Sequence, residues 1–574
     1  MQRHMRRFGM VAVAVLAMGA TAAEGQTAFV PQTDTHLTAE TGPDARITDA
    51  DGRTVLLRGI NVVQIGDYFQ NDPAQPARFD LTEQDFADIA ASGFNHVRLI
   101  LHWSLLEPAP GQHDEGYLDV IRQALDWARA HDLYVVLDMH QDAWGKYIAT
   151  PEDETCVPPM DPAVGWDGAP EWATLTDGLP TCKVALRELS PAVAMAWQSF
   201  WLDRDPGDGV GIQTRLVETW EWLVDELGPD PVIAGYDPLN EPSPGFAPGI
   251  SETVALGAFY SDVLDGIRGA EADDGRPVPA PYFFEPGVEW SAGSITAPPV
   301  DPGFVADDAI VFAPHIYAES ISPVSIPQGW DNAELVASVY GATVWTGEWG
   351  YFSASPADDD DPLRRFAAEE DARLLHSAFW DWRQACGDPH NFYPDRSSGR
   401  ILSPSFVRYE CPGDVELGIA PEFALVLSRS HPRAVPGTLT STTSDIDTGA
   451  LTVTGSTDAP GIADLWLPDR GTGNPVVDGG EVVAVHRVPA TDRAAGGWRV
   501  QLRVEGDYTI TAAVDGTAAP TVEPTEPTAE PVPSDPAPDD EPGSLPATGA
   551  GMAAVALGAL GLAGRLRAIG RRHP

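Results

Sequence analysis

Asn240-Glu241-Pro242 closes an apolar run, residues 231–236, that reads as a buried strand leading into Asp237-Pro238-Leu239. Two prolines bracket the carboxylate. Proline has a fixed φ and no N–H, so it stops a strand and stiffens the turn after it. A stiff turn suits a carboxyl that must transfer a proton without wandering, with Asn240 beside it to hydrogen-bond a substrate. A tripeptide is a weak motif alone, and an ordinary strand-to-turn junction has the same residues. Its weight comes from a second carboxyl, Glu348, in Gly347-Glu348-Trp349-Gly350 after the apolar run 343–346. Two carboxyls on separate strands are what cleavage of a glycosidic bond requires. One must be protonated to release the leaving oxygen, and the other ionised to attack the anomeric carbon. Their surroundings should therefore split their pKa values, the acid's being raised.

Holding such a pair takes a scaffold of many strands. Apolar strand-like runs at 58–63, 95–101, 133–139, 231–239, 282–285, 310–312, 343–346 and 377–382 alternate with helix-like stretches. Helices are expected at 81–92, 115–131, 190–202, 211–227, 251–270 and from 367 to 373. Thr82 and Asp85 form a loose capping pattern, and Leu118, Ile121, Leu125 and Ala128 recur at helical spacing. Near-continuous apolar strands belong to a parallel sheet covered on both faces. About eight strands at this chain length favour a (β/α)₈ TIM barrel over an open doubly wound sheet. No Gly-x-Gly-x-x-Gly or phosphate loop opens a helix, which argues against a nucleotide fold.

The C-terminal ends of barrel strands carry the chemistry. The second strand carries Arg98, and the third ends in Asp138-Met139-His140-Gln141-Asp142. The fourth ends in Asn240-Glu241, the sixth in His315-Ile316-Tyr317, the seventh runs into Glu348, and the eighth holds Trp380. Tyr317 can hydrogen-bond Glu348, Arg98 can hold it electrostatically, and Trp380 can floor a sugar ring. Singly, Arg98 reads as a structural ion pair and His140 and Trp380 as core. Together, at one strand end after another, they converge on one mouth.

Arg98, His140, Asn240-Glu241-Pro242, His315, Tyr317, Glu348 and Trp380 resemble the residue set of glycoside hydrolase family 5, across residues 45–437. The resemblance implies a retaining (β/α)₈ enzyme with Glu241 as acid/base and Glu348 as nucleophile. It implies double displacement through a glycosyl-enzyme, with the carboxyls about 5–5.5 Å apart. It implies no metal and no organic cofactor. A narrower resemblance, to endoglycoceramidases, rests on Asp138-Met139-His140-Gln141-Asp142, on GWDGAPEW at 165–172 and on RSHPRAVPG at 429–437. Ser430 and His431 depart from the Arg-Pro-Tyr-Pro more usual in that last motif. This likeness implies that Asp142 contacts the sugar, that a β-sandwich packs on the barrel, and that the bond cut joins glycan to ceramide. Trp144, Tyr147, Ile148, Trp166, Trp172 and Leu175 then either line a lipid groove or form the core of their own loop. Other members of the family imply alternatives: steryl or ceramide monoglycosides, or β-1,4-glucans. A non-catalytic surface adhesin on the same scaffold would usually have lost one carboxylate, and this chain keeps both.

The net formal charge is −50 and the sequence pI is near 4.3. Such a surface repels nucleic acid and anionic headgroups. The expected partner, a glycolipid or oligosaccharide, is what the resemblance implies. The acidic run 358–361 reads as a solvated loop. Residues 1–25 read as a secretory leader: Arg3, Arg6 and Arg7, an apolar stretch 8–18, then small residues 20–23. The four cysteines then meet an oxidising environment. Of three possible pairings, Cys156–Cys182 with Cys386–Cys411 is the most local, each bond pinning a long loop. Residues 26–44 are polar and read as a frayed lead-in, and 45–57 as a hairpin turning at Asp49-Ala50-Asp51-Gly52.

The catalytic domain is placed at 26–425. Residues 426–516, with short alternating strands, are expected to form a β-sandwich. It reads as a support, because Trp466 and Trp498 alone stand out as a sugar platform. Residues 517–544 form a Pro- and Glu-rich linker. Leu545-Pro546-Ala547-Thr548-Gly549, an apolar run to Gly564 and a tail with Arg565, Arg567, Arg571 and Arg572 follow. They resemble the sorting signal of Gram-positive surface proteins. That implies a sortase cutting after Thr548 and joining it to peptidoglycan. The apolar run is short beside the roughly 17–25 residues of a membrane span. The expectation is a secreted, wall-anchored monomer.

Overall fold

A computed structural model describes residues 29–514, apart from 71, 294–297, 302, 352–361, 391–393, 396–399, 403–404 and 471–472. The expected leader, acidic run, linker and sorting signal lie outside the described residues.

Eight parallel strands close into a barrel: β1 Arg58–Val62, β2 His96–His102, β3 Tyr134–His140, β4 Ile233–Asp237, β5 Tyr282–Phe284, β6 Ile310–Phe312, β7 Thr343–Trp349 and β8 His376–Phe379. Every residue in them is buried, which is why their sequences read as unbroken apolar runs. Alternate side chains point in and out. Tyr134, Val136, Phe283, Val311, Trp345 and Ala378 fill the interior. The others meet the surrounding helices: α1 Glu83–Ala91, α2 Glu115–Ala130, α3 Pro191–Trp201, α4 Ile212–Leu227, α5 Leu256–Asp273, α6 Ile326–Tyr340, α7 Pro362–Arg373 and α8 Pro421–Leu427.

The capping pattern at α1 is formed, with the Thr82 N–H donating to Asp85 Oδ2 at 2.9 Å. Asp85 Oδ1 also accepts from Trp382 Nε1 at 3.0 Å and Arg383 Nε at 2.8 Å. One carboxylate thus caps a helix and ties down the segment after β8. Both local disulfides are formed, with Cα–Cα distances of 5.6 Å for Cys156–Cys182 and 5.5 Å for Cys386–Cys411.

After the barrel come β9 His431–Pro436, β10 Thr438–Ser444, β11 Leu451–Pro468, β12 Pro475–Asp478, β13 Glu481–Val488 and β14 Gly497–Val514. The long strands β11 and β14 pair with each other, with a register shift between Thr457 and Gly461. β10 pairs with the first part of β11 and β9 with the last; β13 pairs with the first part of β14 and β12 with the last. Two half-sheets therefore share two strands and bury one apolar cluster that includes Leu451, Val453, Leu465, Leu502 and Ile510.

The sheet does not stop at the C-terminal domain. The expected hairpin, Arg46–Asp49 with Arg53–Val55, joins it through pairing of Arg53–Val55 with β9. Leu37–Glu40 adds a further strand from within the segment read as frayed. Its alternation spans four residues, too few to stand out in the sequence, yet Leu37 and Ala39 are buried. Leu37, Ala39, Ile47 and Val55 pack into the same cluster as Tyr134 and Trp345, closing the N-terminal end of the barrel. The Tyr134 hydroxyl donates to the Gln32 carbonyl at 2.6 Å, fixing the chain just before that strand.

The motif at 429–437 docks the sheet. Arg429 Nε donates to Asp371 Oδ2 at 2.8 Å, and Arg58 Nη2 to Asp371 Oδ1 at 3.1 Å. Arg433 Nη2 donates to the Asp132 carbonyl at 2.8 Å. Trp466 is fully buried and its Nε1 donates to the Ser428 carbonyl at 3.1 Å. It lies on Gly93, whose φ is +91° and where a Cβ would fall 2.2 Å from Trp466 Nε1. Trp466 is therefore a docking residue and no sugar platform. Trp498 lies partly buried beneath Arg487, at 4.7 Å.

Trp466→Ala should destabilise the chain by about 3–5 kcal/mol, the usual loss for emptying a large aromatic site. Calorimetry of wild type and variant checks this. An unchanged unfolding transition would show that the sheet is not anchored at this residue.

Candidate active site

The C-terminal mouth of the barrel is built around Arg98, which is wholly buried on β2. Its Nε donates to Asp237 Oδ2 at 3.0 Å. Its Nη1 donates to Glu348 Oε1 at 2.8 Å and to Asn61 Oδ1 at 3.2 Å. Its Nη2 donates to Asn240 Oδ1 at 2.9 Å and Glu285 Oε1 at 3.0 Å, and lies 3.0 Å from Asp138 Oδ1. One cation thus faces four buried carboxylates. Burial pushes Asp138 up to about 8, and Asp237 and Glu285 each up to about 7, with Arg98 pulling the other way.

Glu241 follows β4 with φ at +38°, a region that non-glycine residues seldom occupy. The turn is held from three sides. The Glu241 N–H donates to Glu285 Oε2 at 2.8 Å. The Asn240 N–H donates to the Met139 carbonyl at 3.1 Å, and Gln141 Nε2 to the Asn240 carbonyl at 2.8 Å. Glu241 Oε1 accepts from Ser291 Oγ and lies 2.9 Å from His315 Nδ1. Its Oε2 accepts from Arg187 Nη2 at 3.3 Å.

Glu348 sits on β7. Arg98 holds Oε1, and the Tyr317 hydroxyl donates to Oε2 at 2.8 Å. His315 stands between the two glutamates, its Nδ1 also 3.4 Å from Glu348 Oε2 and its Nε2 3.2 Å from Glu285 Oε1. A carboxylate oxygen of Glu241, one of Glu348 and a ring nitrogen of His315 all lie within 4.8 Å of one another.

The pKa split runs opposite to the sequence expectation. Burial raises Glu241, but the hydrogen bond and charge of His315, with Arg187, bring it below the usual range. Burial raises Glu348, and His315 and Arg98 do not fully reverse it. Burial alone would lower His315, yet Glu285 and Glu348 push it well above its ordinary value. His315 Nδ1 is nearer Glu241, at 2.9 Å against 3.4 Å for Glu348, so it acts more strongly on that carboxyl. The sequence could not show this, because Arg187 reaches Glu241 from a distant loop.

His140 Nδ1 is 2.8 Å from Asp138 Oδ2, and its ring stacks on Trp380 at 5.6 Å. Burial lowers His140 to about 3, so the ring is neutral. Trp380 is buried beside Tyr68, Ile100 and Tyr317, and its peptide bond to Asp381 is cis. Asn240 is more engaged than expected: Arg98 takes its oxygen, and its Nδ2 donates to the Gln141 carbonyl at 3.1 Å. Asp142 is gripped by Arg187 and by His390 Nε2, while His390 Nδ1 lies 2.8 Å from Asp388 Oδ1. The nine expected site residues therefore surround one mouth.

Several neighbours escaped the sequence reading. Asp237 and Glu285 end β4 and the short β5, and a carboxylate closing Tyr282-Phe283-Phe284 is the same signal as elsewhere, passed over on a three-residue strand. Asn61 lies on β1, which was not read for polar ends. Arg187, His390 and Ser291 come from connecting segments and carry no periodic signal.

The supposed groove residues divide. Trp144 and Ile148 are core, Trp144 packing on Trp197 at 5.0 Å. Trp172 and Leu175 are partly buried against the same core, with Trp172 Nε1 donating to the Glu107 carbonyl at 2.9 Å. Trp166 reaches the mouth, 4.3 Å from the Arg187 guanidinium and 5.2 Å from the His390 ring. Tyr147 is exposed.

Asp138, Asp237 and Glu285 are grouped closely enough to hold an ion, but the Arg98 guanidinium occupies their centre. His140, Asp142 and His390 are likewise engaged by Asp138, Arg187, Asp388 and one another. We assign neither set to a metal.

The family description "Cellulase (glycosyl hydrolase family 5)" matches residues 48–385, more than half of the chain. Endoglycoceramidase I of Rhodococcus hoagii (strain 103S) is 28% identical over 378 residues, 60% of this chain and 68% of its own. A crystal structure of endogalactoceramidase is 40% identical with a TM-score of 0.73, covering 83% of this chain and 99% of that one. Endo-glycoceramidase II from Rhodococcus sp., in its cellobiose-like isofagomine complex, is 25% identical with a TM-score of 0.62, covering 82% and 100%.

Proposed function

The chain belongs to glycosyl hydrolase family 5, and from that premise we propose that it is a retaining endo-β-glycosidase releasing the glycan of glycosphingolipids from its ceramide. The observation that carries the mechanism is the closeness of Glu241 and Glu348, with oxygens within 4.8 Å. An inverting pair needs roughly 6.5–9.5 Å to admit a water, whereas a retaining pair stands at about 5–5.5 Å.

Glu348 attacks the anomeric carbon. Arg98 and Tyr317 each hold one of its oxygens, so the attacking group cannot rotate away. The bond to the aglycone breaks as Glu241 gives its proton to the leaving oxygen. His315 Nδ1, 2.9 Å away, holds the other oxygen, Oε1, of that carboxyl. The sugar is then an ester of Glu348, and the aglycone leaves as an alcohol. Water enters, Glu241 takes its proton, and the oxygen displaces Glu348 to give a sugar of the starting configuration. A neutral His140 and the ionised Asp142 line the glycan side beside Trp380.

The lipid reading is supported by the names of the relatives and by the rim of the mouth. Val184, Leu186 and Leu189 lie before α3, and Phe246, Ile250 and Val254 lie after β4, each 42–65% exposed. The second segment packs on α3, with the Phe246 N–H donating to Gln198 Oε1 at 3.3 Å and Trp201 Nε1 to the Ser243 carbonyl at 2.8 Å. An apolar rim around a polar slot suits a substrate with a sugar at one end and acyl chains at the other. We further propose that the chain is secreted and joined to the cell wall at Thr548, on the strength of its first 25 residues and the order of motif, apolar run and basic tail.

Product analysis tests the substrate. In a panel that also holds galactosylceramide, glucosylceramide, a steryl glucoside and cello-oligosaccharide, intact oligosaccharide and free ceramide are expected from the monosialo-ganglioside and lactosylceramide. Glu348→Gln should lower turnover roughly 10⁴-fold. Release of single sugars alone would make it a monoglycosidase, and cleavage of cello-oligosaccharide alone a glucanase.

Phe246→Asp combined with Leu186→Asp should lower kcat/KM on micellar glycolipid about tenfold. A soluble aryl glycoside should be unaffected, and equal losses on both would refute the rim. Anchoring is checked by fractionating a Gram-positive host: the chain should need muramidase for release, and Thr548→Ala should leave it outside the wall fraction.

A further inference from the structure

Arg187 has no part in the family reading, yet it is the cation that touches the acid/base carboxyl from outside the barrel. It lies in the short helical turn Arg187–Leu189, at the end of the loop stapled by Cys156–Cys182. Its face lies on Trp166 at 4.3 Å, and its Nε donates to Glu188 Oε1 at 2.6 Å. Its Nη2 bridges Asp142, at the end of β3, and Glu241 Oε2, at 3.3 Å. Three of its contacts fix the guanidinium, and the fourth is the long one to Glu241.

The two oxygens of Glu241 are not equivalent. Oε1 meets Ser291 and His315, so it is already committed to two donors. A proton for the leaving oxygen must then be carried on Oε2. That is the oxygen beside Arg187. A fixed positive charge there favours the ionised carboxylate. It opposes the first step, in which Glu241 is an acid, and assists the second, in which Glu241 is a base.

We propose that Arg187 is a positioning residue that sets the protonation of Glu241, and through it the alkaline limit of the reaction. The inference rests on Glu241 as acid/base but not on the identity of the lipid. The other charged groups facing Glu241 are His315 after β6, Glu285 after β5, Glu348 on β7, Asp142 after β3, Glu188 beside Arg187, and Glu289 in the segment Glu289–Gly293. All but His315 and Arg187 are carboxyl groups. Among the described residues, removing Arg187 leaves His315 as the one facing cation, so Glu241 must titrate higher.

The test does not depend on turnover. Full-length protein labelled with δ-¹³C glutamate is titrated by NMR, with Glu241→Gln identifying the Glu241 signal. In Arg187→Met the Glu241 midpoint should rise by about one pH unit, as expected for loss of an opposite charge at this range. Arg187→Lys, which keeps the charge, should restore most of the wild-type value. The alkaline limb of kcat/KM should rise by the same amount on an alkyl β-lactoside or β-galactoside. The 2,4-dinitrophenyl glycoside, whose leaving group needs no proton, should show no such shift. An unmoved Glu241 midpoint in a folded Arg187→Met protein would overturn the proposal. So would equal movement on both glycosides. Failure of every glycolipid in the product panel would instead count against the substrate reading and leave this titration intact as a test.

Discussion

One guanidinium among four buried carboxylates is the constraint on which the site depends. Arg98 contacts Asp138, Asp237, Glu285 and Glu348, and through Asn240 it also holds the turn that carries Glu241. Leaving any of those carboxylates ionised without it would cost several kcal/mol in so dry a place. One positive charge cannot balance four negative ones. Burial, with some repulsion between neighbouring carboxylates, pushes Asp138, Asp237 and Glu285 up to about 8, 7 and 7. Burial raises the nucleophile as well, with His315 and Arg98 pulling the other way, while Arg98 and the Tyr317 hydroxyl are aimed at its two oxygens.

That arrangement demands a barrel that does not breathe, and the chain secures it from its two ends. The N-terminal strands plug the barrel floor and pair with β9, so the first and last described parts of the chain share one sheet. Arg58, Asp371 and Arg429 form a buried ionic cluster between β1, α7 and the start of that sheet. Arg433, Asp132 and Arg499 form a second, at the turn before β3. Such clusters are weak evidence for stability, since desolvation offsets the attraction. They do fix registry: a guanidinium moved by one residue along β9 would lose both partners. The departures at Ser430 and His431 are accommodated locally, Ser430 donating to the Gly449 carbonyl and His431 lying against the Arg429 carbonyl at 3.1 Å.

Legibility in the sequence followed the physics of strand ends. Strands buried on both faces are mostly apolar, so Arg98, His140, Asn240, Glu241, His315, Tyr317 and Glu348 stand out within or just after them. The eight strands and both disulfides were readable for the same reason, as punctuation in an otherwise apolar or looping chain. Glu285 closes the expected run 282–285, but that fifth strand, short as it is, was not read for a polar end. Leu37–Glu40 failed because a four-residue alternation inside a polar segment carries no weight until a sheet is there to receive it. Trp144 and Ile148 were ambiguous because an aromatic in a long loop has the same sequence signature whether it faces solvent, lipid or its own core. What no local pattern encodes is a contact between two loops. Arg187 meets Glu241 across 54 positions of chain, and His390 meets Asp142 across 248.

The pKa split therefore comes first from His315 at a strand end and then from Arg187 on a loop. The barrel alone would give Glu241 a buried carboxyl with Glu285 and Glu348 nearby, the surroundings that raise an acid. His315 and Arg187 reverse that outcome, the first from a strand end and the second from the segment just after the Cys156–Cys182 staple. Barrel enzymes vary by their loops because the strands fix position while the loops are free to change. Here a loop also reaches inward and weighs on the charge of a group that the strands place. The same loop carries Leu186 and Leu189 outward at the rim, one residue before and two after Arg187. The rim proposed for lipid and the guanidinium proposed to set Glu241 thus share one short stretch of chain, residues 186–189.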